Sequence, residues 1–359
     1  MLKNSHIWLT GYLKQRFSRK SCSLKPIDIL FCIADHFEPR WGKVSPAKEI
    51  ERVKIWLEKY PKAIAGHRDS ERKPVKYTFF YPFDEYTPEV LNKLAGFCKS
   101  GIAEVEIQLH HDNDTVESLR EKLERAKESF VKHGLLCRDR VAGNIKYGFI
   151  HGNWALDNSR RDGKWCGVNN ELGILKETGC YADFTLPSAP SDTQTRKINS
   201  IYYAFDTPQP KSHNSGVDVE TGKVPCGDLM IIQGPLALNW KERKFIVFPA
   251  IENSGISAVN LVTKNRIDLW IKRHISVKGR PEWVFIKVHT HGCQDQNLTD
   301  AYFENLGRMF THLETKYNDG LNYRLHYVTA REMYNIIKAA EAGEAGKPDD
   351  YRDYLLVRQ

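Results

Sequence analysis

Residues 27–39 read IDILFCIADHFEP, and this stretch decides the fold. The run over 27–34 is apolar at nearly every position, the pattern of a strand covered on both faces, as in a parallel sheet flanked by helices. It stops at Asp35 and His36, two polar residues at the carboxyl end of a buried strand. Outward from it, an amphipathic helix carries Ile50, Val53, Ile55, Trp56 and Leu57 around its apolar face. Strand 76–81 (KYTFFY) leads to helix 87–99, opened by Thr87 and Pro88, and strand 103–110 (AEVEIQLH) to helix 115–134, closed by Gly134. Strand 144–151 (NIKYGFIH), helix 169–179 and strand 181–186 continue the alternation. Residues 187–228, rich in Pro, Ser, Thr, Asn and Gly, break it and read as a long insertion. Strands resume at 228–233, 244–249, 282–289 and 323–328, with helices at 300–316 and 329–342.

Seven or so β–α units predict an α/β fold, a (β/α) barrel that is distorted or incomplete and seven-stranded. An open doubly wound sheet is the alternative, although no G-x-G-x-x-G follows the first strand. The expected organisation is a basic amphipathic segment over 1–26, a catalytic barrel over 27–342 that carries the insertion, and a charged tail over 343–359.

The chain is 359 residues and 41% hydrophobic, enough to bury a large core, and its aromatic residues run throughout, which excludes bulk disorder. No run approaches the roughly 20 apolar residues of a membrane span, and no apolar leader segment follows Met1. Eight scattered cysteines without a C-x-x-C predict reduced thiols and a cytoplasmic protein. The net charge of +8 is local, because Lys3, Lys14, Arg16, Arg19, Lys20 and Lys25 precede any acid, leaving +2 for the rest. That distribution argues against a nucleic-acid surface. Residues 6–20 space Ile7, Trp8, Leu9, Tyr12, Leu13 and Phe17 helically among these bases. Either this helix packs on the domain, or it touches an anionic membrane, peripheral to the inner membrane.

Chemistry-bearing residues gather at the carboxyl ends of the strands. Asp35-His36 ends the first, and His110, His111, Asp112, Asn113 and Asp114 follow the third. His151-Gly152-Asn153-Trp154 ends the fourth, Asp183 stands in the fifth, and His289-Thr290-His291-Gly292 ends a late one. In a barrel these ends converge on one mouth. Imidazole and carboxylate there suit a divalent metal, zinc above all, that keeps a position open for water. His110 and Asp114, four apart, form one ligand pair, with His111 and Asp112 as rivals.

At these residues the chain resembles the polysaccharide deacetylases of the NodB-homology superfamily (carbohydrate esterase family four), particularly members from bacterial surface-polysaccharide gene clusters. That family's first motif, T-F-D-D-G, corresponds to I-A-D-H-F-E-P here, which implies Asp35 as the base and His36 as a metal ligand. The second, H-S/T-x-x-H after a strand glutamate, corresponds to Glu106 followed by His110 and Asp114 as ligands. The late histidine acid corresponds to His289 or His291. The resemblance further implies His151, Asn153, Trp154 and Asp183 as substrate-side residues. It also implies loss of an acetyl group from a sugar or oligosaccharide in surface-polysaccharide (lipopolysaccharide) biosynthesis. Two of the three ligand types differ from the family, and its Arg–Pro motif is replaced by HGNWALDNSRRDG (151–163). Two competing readings stand beside it. One is a metal-independent glycoside hydrolase using a carboxylate pair from Glu38, Glu85 or Asp35. The other is a non-catalytic sugar-binding protein.

Overall fold

The structure is a computed structural model describing residues 3–18, 25–244 and 247–359. In chain order its strands are β1 (Ile27–His36), β2 (Tyr77–Pro82), β3 (Ala103–Leu109), β4 (Cys137–Asp139), β5 (Ile145–His151), β6 (Cys180–Asp183), β7 (Ile201–Ala204), β8 (Val217–Asp218), β9 (Leu229–Ile232), β10 (Ala237–Lys244), β11 (Phe248–Glu252), β12 (Gly255–Ile256), β13 (Trp283–Thr290), β14 (Tyr323–Tyr327) and β15 (Leu356–Arg358). The α-helices are α1 (Leu9–Ser18), α2 (Pro46–Ala63), α3 (Pro88–Cys98), α4 (Val116–Lys132), α5 (Glu171–Glu177), α6 (Lys264–Arg273), α7 (Asp300–Tyr317) and α8 (Ala330–Ala342).

β1 is buried at every position. It lies parallel to β13 on one side, while on the other β14 pairs with its first half and β2 with its last three residues. The main sheet runs β12-β13-β1-β2-β3-β5-β6-β9-β7-β8, mostly parallel, with antiparallel pairing at β9-β7-β8. The expected α/β class holds. Closure into a barrel does not appear, since no ladder among the described residues joins β12 to β8. The Lys287 ammonium on β13 instead reaches across to donate to the carbonyls of Phe184 and Leu186 just past β6.

Alternation along β1 separates two layers. Leu30, Cys32 and Ala34 join Phe80, Ile150 and Phe285 in an inner core. Ile29, Phe31 and Ile33 face the opposite way, packing with Trp56 of α2 and Phe310 of α7. Along β1, one parity thus faces an inner core that α8 closes with Ala330, Met333, Ile336 and Ile337, and the other faces α2 and α7.

Sequence and structure differ in several places, and the short strands β4, β12 and β15, the last within the expected tail, went unread. The strand expected over 244–249 is split, because β10 ends at Lys244 and β11 begins at Phe248 in an antiparallel hairpin outside the main sheet; residues 245 and 246 lie outside the described residues. α6 went unread because one of its buried positions is Arg266, a charge neutralised by Glu252 at 2.6 Å. The stretch 187–228 contains β7 and β8, and β7 enters the main sheet.

The apolar face of α1 packs on the body: Trp8 and Tyr12 are buried against Ala189, Ile198, Leu236 and Leu238. Of the N-terminal bases Lys14 lines an open cleft of about 960 Å³, where it meets Arg161, Arg196 and Lys211 of the body. No described helix is long and apolar enough to cross a membrane.

Candidate active site

The parallel register sets Ala34 beside His289 and Asp35 beside Thr290, so the residues after β1 and β13 meet at one end of the sheet. His36, on the interior parity, stacks on His291 with ring centres 4.7 Å apart. One donor atom each from His36, Glu38 and His291 lie within 4.8 Å of one another. His36 is 1% exposed, and its Nδ1 has no hydrogen-bond partner. Burial and the neighbouring imidazoles His291 and His289 hold its pKa well below the ordinary histidine range. Glu38 accepts hydrogen bonds from Gln108 (2.6 Å) and Gln294 (3.2 Å), and His110 Nε2 stands 3.2 Å from its Oε1.

His110 is oriented from behind. Its backbone N–H donates to Asp84 Oδ1 at 2.8 Å, and its Nδ1 lies 3.0 Å from Asp84 Oδ2. Burial lowers its pKa, but the hydrogen bonds and charges of Asp84 and Glu38 outweigh burial and hold it up at about 10. Trp154 packs edge-on against His291 at 5.8 Å and stands 5.8 Å from His36. A cleft of about 300 Å³ opens here, lined by Trp154, Ser188, Asn253, His289 and His291.

Asp35 faces the other way, towards the helices. It is fully buried and accepts from Gly292 N at 2.7 Å and Tyr77 Oη at 2.8 Å. Burial pushes its carboxyl up to about 7. Asp114 does not join the mouth group. Its carboxylate takes two hydrogen bonds from Lys122 Nζ (2.7 and 2.8 Å) and one from Ser118 (2.6 Å), and lies 3.0 Å from His111 Nδ1. His151 belongs to the same helix-facing side, with its ring 4.6 Å from that of His111. Asp183 accepts from the Thr185 hydroxyl and amide (2.7 and 3.0 Å), and Thr185 in turn accepts from His151 N (2.9 Å). Burial moves Asp183 up to about 7. Asn153 is half-buried in the turn between His151 and Trp154.

The interior group therefore gathers His36, His110, His289, His291 and Trp154 from the sequence reading, brings in Glu38, named there only for the metal-free alternative, and adds Asp84, Gln108 and Gln294. Glu38 had a signal, because it lies two residues after His36 and so shares its parity. Asp84 and Gln294 stand in loops and had none. The donor set of two imidazoles and a carboxylate, with an orphaned ring nitrogen among them, fits a zinc-like ion.

No protein-family model matches this sequence, and no curated protein matches it. Among solved structures, it is similar to a Parabacteroides distasonis protein described as a glycoside hydrolase/deacetylase, with 12% identity, a TM-score of 0.45, and coverage of 90% of this chain and 73% of that one. It is also similar to a GH57 branching enzyme of Thermococcus kodakaraensis, with 10% identity, a TM-score of 0.38, and coverage of 84% and 70%. Both scores lie below 0.5.

Proposed function

We propose that this protein is a metal-dependent hydrolase that removes an acetyl group from a sugar or oligosaccharide. The observation that carries this reading is the convergence of His36, Glu38 and His291 donor atoms within 4.8 Å, at the head of a cleft walled by Trp154 and His289. These three residues would hold the ion, and a divalent ion there supplies Lewis-acid polarisation of an acyl carbonyl and activation of water. The indole of Trp154 offers a flat apolar face for a sugar ring. His289, lining the cleft, takes the proton of the attacking water. His110, backed by Asp84, hands a proton to the departing amine. Asp35 is a positioning residue: through Gly292 N it fixes the turn that carries His291. The roles implied by the family resemblance for Asp35 and His289 thus pass to His289 and His110. Asp183 positions the His151 turn through Thr185.

The test is acetate release from N-acetylated and O-acetylated oligosaccharides by zinc-loaded protein. We expect His36→Ala and His291→Ala to lose the mouth ion and at least about 10²-fold in rate, and His110→Gln to lose rate while keeping the metal. Full activity in metal-stripped protein would overturn the reading. Glycosidic-bond cleavage by that protein, without acetate release, would favour the metal-free carboxylate-pair hydrolase instead, for which Glu85 speaks. Its buried Oε2 has no partner, and burial lifts its carboxyl to about 7. Peripheral contact of the basic N-terminus with anionic membrane is a separate proposal, tested by salt-dependent binding to anionic vesicles with and without residues 1–20.

A further inference from the structure

On the helix-facing side of the same strand ends lies a second donor group that the proposed reaction does not use. His111 follows β3, His151 ends β5, Cys166 sits in the loop after it, and Glu171 opens α5. All four are buried, and one donor atom from each lies within 4.8 Å of the others. We infer that His111, His151, Cys166 and Glu171 form a closed structural zinc site, independent of the reaction at the mouth.

Four features carry this. His111 Nε2 stands 3.1 Å from Glu171 Oε1, and its Nδ1, which makes no hydrogen bond, lies 3.0 Å from the Asp114 carboxylate, the place an outer carboxylate takes behind a metal-bound histidine. Lys122 and Ser118 fix that carboxylate in turn. Neither ring nitrogen of His151 has a partner, although the residue is 0% exposed, an arrangement that costs free energy unless something unseen satisfies it. Cys166 Sγ accepts from Asn158 N at 3.3 Å and faces Glu171 at 3.4 Å. Glu171 Oε2 accepts from Asp157 N at 2.6 Å, which leaves Oε1 for the ion. Two neutral imidazoles, a thiolate and a carboxylate carry two negative charges, which a divalent ion cancels. Donors around tetrahedral zinc, at ~2.0–2.3 Å from the ion, sit about 3.4 Å apart, so a small inward movement closes the set.

The site would also explain what holds the loop 152–170. That loop contains only the three-residue 3₁₀ turn Leu156–Asn158, and it places Trp154, Asp157, Asn158 and Trp165 at positive φ. Such backbone persists when its surroundings over-determine it. A cross-link from Cys166 and Glu171 to His111 and His151 does so, and fixes the turn in which Trp154 N donates to His151 O at 3.0 Å. Trp154 is thereby presented to the mouth. Another histidine–carboxylate group, Asp69, His326 and Asp349, needs no ion, because Arg352 pairs with both carboxylates and Lys73 with Asp349.

The full-length protein, stripped and reloaded with Co²⁺, is the probe. A near-ultraviolet thiolate-to-cobalt band is expected, abolished in Cys166→Ser with loss of one metal equivalent, and retained in His36→Ala, whose site has no sulfur. Should Cys166→Ser fail to fold, X-ray absorption of the zinc-loaded wild type decides, with one sulfur in the metal shell expected. Metal bound without sulfur, or a cobalt band unchanged in Cys166→Ser, overturns the site. Failure of the mouth reading looks different: one equivalent of metal, sulfur-ligated and indifferent to His36→Ala.

Discussion

Gly292 has room for nothing larger than hydrogen. A Cβ there would sit 2.7 Å from Asp35 Oδ2, 2.9 Å from Tyr77 Oη and 3.0 Å from Trp56 Nε1. Gly292→Ala is therefore expected to break the Asp35 clamp, destabilise by about 1–3 kcal/mol and lower metal retention at the adjacent His291, read by urea midpoint and zinc content. Glu106 gives a pH prediction. It is 1% exposed, and burial lifts its carboxyl to about 8, against the lowering effect of hydrogen bonds from Tyr181 and Gly148 N. The unfolded chain releases this proton near the ordinary carboxyl value of 4.5, while the folded chain keeps it to about 8. Ionisation thus favours the unfolded state, and stability drains away as pH rises between those values. Glu106→Gln removes the loss, since its amide can donate to Tyr181 Oη and its carbonyl accept from Gly148. Its melting temperature should exceed the wild type's at pH 8 and match it at pH 4.5. A wild-type advantage at pH 8 would refute the assignment.

At the scale of elements, the carboxyl ends of β1 and β13 make the mouth, and α8 locks the opposite side of the sheet. Thr329 caps α8 in a reciprocal box with Glu332. Arg331 in its first turn grips Glu104 of β3 through Nη2 (2.7 Å) and Nε (3.1 Å). Burial raises the Glu104 pKa, but the charge and hydrogen bonds of Arg331 prevail and hold it below the usual range. Glu104→Gln leaves a buried guanidinium short of its counter-charge, with Asp353 as a second, more exposed partner. We expect about 3 kcal/mol of destabilisation by urea denaturation. The longer strands and helices up to residue 183 were legible because each is a continuous apolar run or repeats a period within its own residues, whereas the three-residue β4 is too short to show either. α6 was not legible, because its inward-facing arginine is tolerable only beside Glu252, a residue on another element.

For the whole molecule, the N-terminal helix is a docked part of the fold. Trp8 is 0% exposed, Gln15 Nε2 donates to Ile198 O at 2.5 Å, and Asn199 donates back to Gln15 at 3.1 Å. Trp8→Ala should cost about 3–5 kcal/mol if α1 unfolds together with the body. A separate early transition in thermal unfolding would show instead that α1 detaches first. This docking bears on the proposed membrane contact, because Trp8 and Tyr12, two of the apolar residues an interfacial helix would bury in lipid, are already buried in protein, while Leu13 stays exposed.

The sequence by itself determined what is local: a β–α alternation, buried parallel strands, and polar residues where those strands end. Residue types at those ends, histidine above all, drew the candidate site, because buried imidazoles and carboxylates need partners to satisfy them. Which of them meet was decided by the tertiary structure. Asp35 and His36 are neighbours in the chain and point to opposite layers, as do His110 and His111. His36 and His110 face the interior with Glu38 and His291, whereas Asp35 turns to Tyr77 and Gly292 and His111 turns to Glu171 of α5. Alternation along a strand is visible in the sequence, but which parity faces inward depends on what packs against each face. Partners contributed by loops, such as Asp84 and Cys166, carry no period at all.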